Sequence, residues 1–244
     1  MIVTGASRGI GAAAAKLAGG RGYKVCVNYN QARERAEKVV RAIEAEGGKA
    51  IAVQGDVGWE DDVVRLFKTV DDRFGPVTAL VNNAAVDHET KIADLDVKGL
   101  ERVFAVNVTG PFLCAREGIR RMSTRLGGSG GVIVNVSSLS ARYGGLPGDV
   151  IYASSKGALD TFTLGLAREV AKEGIRVVSV RPGLTLTDIW DRGIGKEAAI
   201  ELGKTGVPMG RIGQPEEVAA LVVWLCSAEA SYVTGALYEV GGGR

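Results

Sequence analysis

Short runs rich in β-branched residues alternate with longer amphipathic stretches from one end of this chain to the other. Parallel strands need a crossover of a dozen or more residues, which a helix supplies, so the alternation constrains the chain to βαβ units around a parallel sheet. The runs place strands at 2–4, 24–29, 50–54, 79–82, 131–137, 176–181 and 236–240. Most are near-continuously apolar, as strands covered on both faces must be. Helices are predicted near 10–21, 31–47, 60–74, 98–126, 151–173 and 215–227. Ala36, Val39, Val40 and Ile43 recur three or four apart, as do Val63, Leu66, Phe67 and Val70, which gives each helix an apolar stripe to lay on the sheet. The expected fold is therefore α/β, a seven-stranded doubly wound parallel sheet. No linker or composition shift divides the 244 residues, so one domain spanning 1–244 is expected.

The balance of 30 basic and 28 acidic residues creates no net field for nucleic acid or an anionic membrane. The longest uninterrupted apolar run, 218–226, is far below the roughly 18 residues of a membrane span, and no signal peptide opens the chain, so a cytoplasmic location is expected. Cys26, Cys114 and Cys226 lie far apart and read as reduced core residues. The only histidine, His88, reads as a polar loop residue, and no metal site is expected.

Residues 184–214 break the pattern. Gly193, Gly195, Gly203, Gly206 and Gly210 punctuate short helical pieces that no strong period locks to the sheet. The segment follows the strand ending at Arg181, so it leaves the carboxyl edge of the sheet, where ligands bind in open α/β folds. It reads as a mobile lid.

Between the first strand and first helix lies Thr4-Gly5-Ala6-Ser7-Arg8-Gly9-Ile10-Gly11. Glycines here let the backbone turn tightly and approach a pyrophosphate, while the helix start offers free N–H groups and a positive dipole. A Rossmann-like dinucleotide site follows, with spacing G-x-x-x-G-x-G. NAD binders place a carboxylate at the end of the second strand; Val27-Asn28-Tyr29-Asn30 has none, and Arg8, Arg33 and Arg35 make the adenosine pocket neutral to basic. NADP(H) is the expected cofactor, with NAD(H) a weaker fit. Tyr152 and Lys156, four apart, share one helix face, where an ammonium would favour the phenolate and lower its pKa. The strand ending in Ser137-Ser138 brings hydroxyls to the same edge.

On these residues together the chain resembles the short-chain dehydrogenase/reductase family, in its compact single-domain branch, over essentially its whole length. The glycine turn of that family corresponds to residues 4–11, its adenine-contacting acid to Asp56-Val57, and its Asn-Asn-Ala-Gly signature to Asn82-Asn83-Ala84-Ala85. The resemblance implies cofactor contacts from Gly5, Ser7, Arg8, Gly9, Ile10, Gly11, Tyr29, Asn30, Asp56, Val57, Asn83, Ala84, Tyr152, Lys156, Pro182, Gly183 and Thr187. It implies a catalytic quartet of Asn107, Ser138, Tyr152 and Lys156, with Ser137 competing for the serine role. Tyr152 would exchange a proton with the substrate oxygen, Ser138 would polarise it, Lys156 would tune Tyr152 and hold ribose hydroxyls, and Asn107 would hold a water at a bend in a long helix. Ala85 in place of glycine, Val178 in place of asparagine and one extra residue before Tyr152 depart from the pattern.

The implied reaction is hydride transfer between the nicotinamide and a small ketone, sugar or polyol. A ketoacyl thioester reductase is the alternative, weakened by Glu173 and Ser129 where carrier-protein reductases resembling this chain have arginines, though Arg120, Arg121, Arg125 and Lys172 offer compensation. A non-catalytic NADP(H)-binding regulator is the alternative of another class, and has no need of the quartet. The family habit implies a homotetramer or homodimer built on the helices near 98–126 and 151–173 and the last strand.

Overall fold

The computed structural model describes residues 1–188, 190 and 195–244. Its strands are β1 (Ile2–Val3), β2 (Lys24–Tyr29), β3 (Lys49–Gln54), β4 (Ala79–Asn82), β5 (Gly131–Val136), β6 (Ile175–Pro182) and β7 (Leu237–Val240). They form one sheet in the order β3-β2-β1-β4-β5-β6-β7, every pairing parallel. The order reverses between β1 and β4, which opens a crevice beyond their carboxyl ends. The expected doubly wound, Rossmann-like sheet is present, with strand ends shifted by a residue or so.

Two helical layers cover the sheet. On one face lie α1 (Gly9–Gly20), α2 (Arg33–Ala45) and α9 (Pro215–Cys226), whose Ala14, Ala18, Ala36, Ile43 and Val222 join Val3, Val27, Val81 and Val134 in one core. Small residues on α1 let it lie close to the strands. On the other face α3 (Glu60–Phe74), α5 (Gly110–Met122) and α7 (Val150–Val170) bury Leu66, Phe67, Cys114, Met122, Leu166 and Val170 against Ile2, Leu80, Ile133 and Val177. The three cysteines are buried and free, and burial pushes each thiol up to about 12. No helix among the described residues is long and apolar enough to cross a membrane.

Two expectations need correction. The single helix at 98–126 is four pieces: α4 (Val97–Phe104), a π-helical turn at Ala105–Thr109, α5, and a 3-10 turn at Thr124–Leu126. Pro111 has no N–H to give the Asn107 carbonyl four residues back, which widens the helix there. The described residues of 184–214 are also more anchored than the glycines suggest. They contain α8 (Lys196–Gly206), and Leu184, Ala199, Val207 and Ile212 make a small core of their own with Leu186, Trp190 and Leu202. Gly193 lies outside the described residues.

Candidate active site

The glycine turn is held by side chains from three strand ends. Gly5 has φ +61° and Gly9 φ +56°, both left-handed, and a Cβ on Gly5 would meet the Ala84 Cα at 2.8 Å. Asn28 accepts from the Gly5 N–H at 3.2 Å and donates to the Val53 and Gly55 carbonyls. The Thr4 hydroxyl accepts from the Asn83 and Ala84 N–H groups at 2.9 and 3.0 Å, and the Asn83 amide donates to the Thr4 and Gly5 carbonyls. The turn is thus built before any ligand arrives. The start of α1 has no side-chain cap and no acidic residue in its first turn, so its N–H groups and dipole face the cradle formed with Ser7 and Arg8. These features fit the pyrophosphate of a dinucleotide.

Beyond β2, Tyr29 is buried and Asn30 is exposed, its amide donating to Asp56 Oδ2 at 3.1 Å. Asp56 also pairs with Arg102 at 2.7 Å and accepts from the Gly58 N–H, while Val57 packs beneath it in the core. Of the basic residues near this pocket, Arg33 pairs with Glu37 at 2.7 Å and Arg35 with Asp188 at 2.6 Å. Exposed Arg8 makes no ion pair among the described residues. Past β6, Pro182 ends the strand, Gly183 donates to the Val240 carbonyl at 2.9 Å, and Thr187 lies across the glycine turn, its Cγ2 3.3 Å from where a Gly9 Cβ would sit.

At the start of α7 the sheet edge brings Tyr152, Ser138 and Lys156 together. The Ser138 hydroxyl faces Tyr152 closely enough to pull the phenol pKa down, and accepts from the Ser140 N–H at 3.0 Å. Ser137 instead donates to the Lys156 carbonyl at 3.2 Å, buried away from the cleft, so of the two serines only Ser138 meets the phenol. Lys156 is 2% exposed, donates to the Val136 carbonyl at 2.8 Å, and sits 5.5 Å from the centre of the Tyr152 ring.

This arrangement corrects the expected tuning. The Tyr152 pKa is raised, not lowered, first by burial and then by Asp87, with the Ser138 hydrogen bond pulling the other way and Asp149 and Tyr143 adding to the rise. The ammonium meets the face of the ring, and burial depresses its own pKa to about 8, so desolvation of the phenolate wins.

Asn107, fully buried in the π-helical turn, spends its side chain on protein. Its oxygen accepts from the Val86 N–H at 2.9 Å, and its amide donates to the Val86 carbonyl at 2.9 Å and to Ser155 at 3.0 Å. Both amide hydrogens are used, so the expected water has only carbonyl oxygens of this residue to bind. Ser155 in turn donates to the Tyr152 carbonyl at 2.6 Å, which welds α7 to the turn. Ser155, Thr4 and Asn28 were not singled out from the sequence. Their signal was weak: each is an ordinary polar residue whose partner lies far along the chain.

A glycine cradle, a phenol, a strand-end hydroxyl and a buried amine share one sheet edge, and comparison with known proteins places the chain that carries them. The profile of a family described as enoyl-(acyl carrier protein) reductase matches residues 5–244. The uncharacterized oxidoreductase YgfF of Escherichia coli is 47% identical over all of this chain and 98% of its own length. A 3-oxoacyl-[acyl-carrier-protein] reductase of Synechocystis is 38% identical over 99% of this chain and 95% of its own. Among solved structures, a short-chain dehydrogenase from Burkholderia cenocepacia in complex with NADP superposes with TM-score 0.90 at 34% identity, covering 99% of this chain and 96% of that one. The chain belongs to the short-chain dehydrogenase/reductase family. As a short-chain dehydrogenase/reductase it is an oxidoreductase.

Proposed function

We propose that this protein interconverts a small carbonyl compound and its secondary alcohol with NADP(H), through Asn107, Ser138, Tyr152 and Lys156. The observation that carries the reading is the convergence of Tyr152, Ser138 and buried Lys156 on the sheet edge that also holds the glycine cradle. A nicotinamide dinucleotide held by residues 5–11, Tyr29, Asn30, Asp56, Val57, Asn83, Ala84, Pro182, Gly183 and Thr187 supplies or accepts the hydride. Tyr152 gives its proton to the carbonyl oxygen, and a high pKa suits a group that must arrive protonated. Ser138 donates to the same oxygen and stabilises charge developing on it. Lys156 keeps positive charge beside the phenol as it loses its proton, and Asn107 fixes the distance between the loop after β4 and α7. Arg8 is the cation available to a 2′-phosphate, since Arg33 and Arg35 already have carboxylate partners.

Reduction of ketoacyl groups on an acidic carrier is disfavoured. Arg120 and Arg121 pair with Glu117 at 2.7 and 2.9 Å and Arg125 with Glu173 at 3.3 Å, so three of the four cations that would compensate for the missing arginines already have carboxylate partners, Lys172 being the exception. A self-associating chain is favoured by α5 and α7, where Phe112 stacks on Phe162 at 3.9 Å while remaining 49% exposed. Oxidation of NADPH and NADH against a panel of ketones, aldehydes, sugars and acetoacetyl thioesters tests the reading. NADPH should be preferred, and Tyr152→Phe should lower kcat by about 10²–10⁴-fold with cofactor affinity unchanged. Equal use of NADH would refute the pocket assignment; undiminished turnover by the phenylalanine variant would refute the catalytic one.

A further inference from the structure

Two loops frame the approach to Tyr152, and both present carboxylates. After β4, the Asn107 clamp on Val86 sets Asp87 at the mouth. Before α7, Gly144, Gly145 and Gly148 all have positive φ, near +90°, +82° and +98°, and fold the segment back so that Asp149 takes the position preceding the helix. Asp149 rests on Gly145, where a Cβ would meet its own Cβ at 2.8 Å, and accepts from the Leu146 N–H at 3.2 Å. Glu89 lies against Gly148, and the Thr90 N–H donates to the Gly148 carbonyl at 3.1 Å, which ties the two loops into one rim.

The cations of the rim are His88, whose backbone N–H donates to Asp87, and exposed Lys91 beyond Glu89, and neither pairs with the three carboxylates. Among the described residues none of Asp87, Glu89 and Asp149 makes an ion pair. Three basic groups nearby have partners of their own: His88 pairs with Asp96 at 2.6 Å, Arg142 with Glu239 at 2.9 Å, and Arg244 lies over the face of the Tyr143 ring at 5.1 Å. Solvent reaches Asp87, yet enough protein surrounds it that burial raises its pKa, with Asp149 and Glu89 adding to the rise. Asp149 is raised by burial and by Glu89. The field of both aspartates extends to the phenol itself, since Asp87 and Asp149 each hold the Tyr152 pKa up. Carboxylates on both loops direct that field onto whatever approaches Tyr152.

We propose that Asp87 and Asp149 are specificity-determining residues that select the substrate by charge, favouring a carbonyl compound with an ammonium group beside the reacting carbon and rejecting one with a carboxylate there. The proposal rests on Tyr152 marking the reacting position. A neutral hydroxyl-bearing substrate is tolerated, because carboxylates accept O–H donors, whereas an anion is repelled by two uncompensated charges. Glu89 reinforces the field from farther out on the rim.

Aminoacetone, hydroxyacetone and pyruvate are three-carbon methyl ketones that carry +1, 0 and −1 at neutral pH, and they form the test. With NADPH, kcat/KM should fall in that order for the wild-type protein. In Asp87→Asn and in Asp149→Asn the ratio for aminoacetone over pyruvate should drop by about tenfold each, the scale of one charge at cleft distance, with hydroxyacetone little changed. A loop that merely lost its shape would weaken all three alike. Titration of the three ketones into the NADP⁺-loaded protein gives the same order without turnover. A ratio unmoved by either substitution, or a wild-type preference for pyruvate, overturns the charge selection. If Tyr152→Phe keeps full activity while the binding order holds, it is the catalytic reading that fails.

Discussion

The Lys156 amine pays for its place in the fold. With burial holding its pKa at about 8 against an ordinary 10.5, and Asp160 pulling weakly the other way, the folded state carries a penalty on the order of 3 kcal/mol at neutral pH. The sign follows from proton counting. Below pH 8 both folded and unfolded chains hold the proton and the full penalty is present; between about 8 and 10.5 the native amine is neutral while the unfolded one is still charged, so stability rises with pH. Lys156→Met removes the titration along with the bond to the Val136 carbonyl. Urea unfolding should therefore show the wild-type protein gaining stability on the methionine variant from pH 8 to pH 10. Parallel pH profiles for the two would show that the native amine titrates normally.

At the level of elements, Asn107 controls how the loop after β4 meets α7. Asn107→Ala strands the Val86 N–H and carbonyl and one partner of Ser155, and should cost about 1–3 kcal/mol, read as a lower urea midpoint. The same residue marks the limit of what the sequence reveals. Hydrophobic period located β2, β4 and α3 to the residue, because their apolar faces are local properties. It ran through 98–126 as one helix, since a π-helical turn keeps the apolar spacing nearly intact; Gly110-Pro111 was the available signal. The glycine turn and the Tyr152–Lys156 spacing were legible because cradle and helix face are set by near neighbours. The direction of the Tyr152 pKa was not, because it depends on Asp87, Asp149 and Ser138, which only the folded chain assembles. Ser155 and Asn28 escaped for the same reason: their partners are Asn107 and Gly5, far away in sequence.

On the scale of the whole molecule, the sheet leaves two edges, β3 and β7, and the layer of α5 and α7 exposes Phe112 and Leu164 among its polar residues. Single exposed apolar residues are ordinary, but Phe112 at 49% exposure is stacked on Phe162, with Leu164 at 37% on the same helix as Phe162. Ring stacking across α5 and α7 fixes a flat apolar surface suited to a second copy of itself, because a two-fold axis through it brings like residues together. A pair formed this way leaves β7 open, so the helical face alone accounts for a dimer and the strand edge would be needed for a tetramer. Phe112→Asp with Leu164→Asp places charges on that surface without touching the core of either helix. Light scattering after size exclusion should find the wild-type protein as an oligomer and the variant halved in mass. A tetramer reduced to dimers would show that β7 holds the remaining contact, whereas a wild-type monomer, or a variant of unchanged mass, would show that the stacked face does not pair.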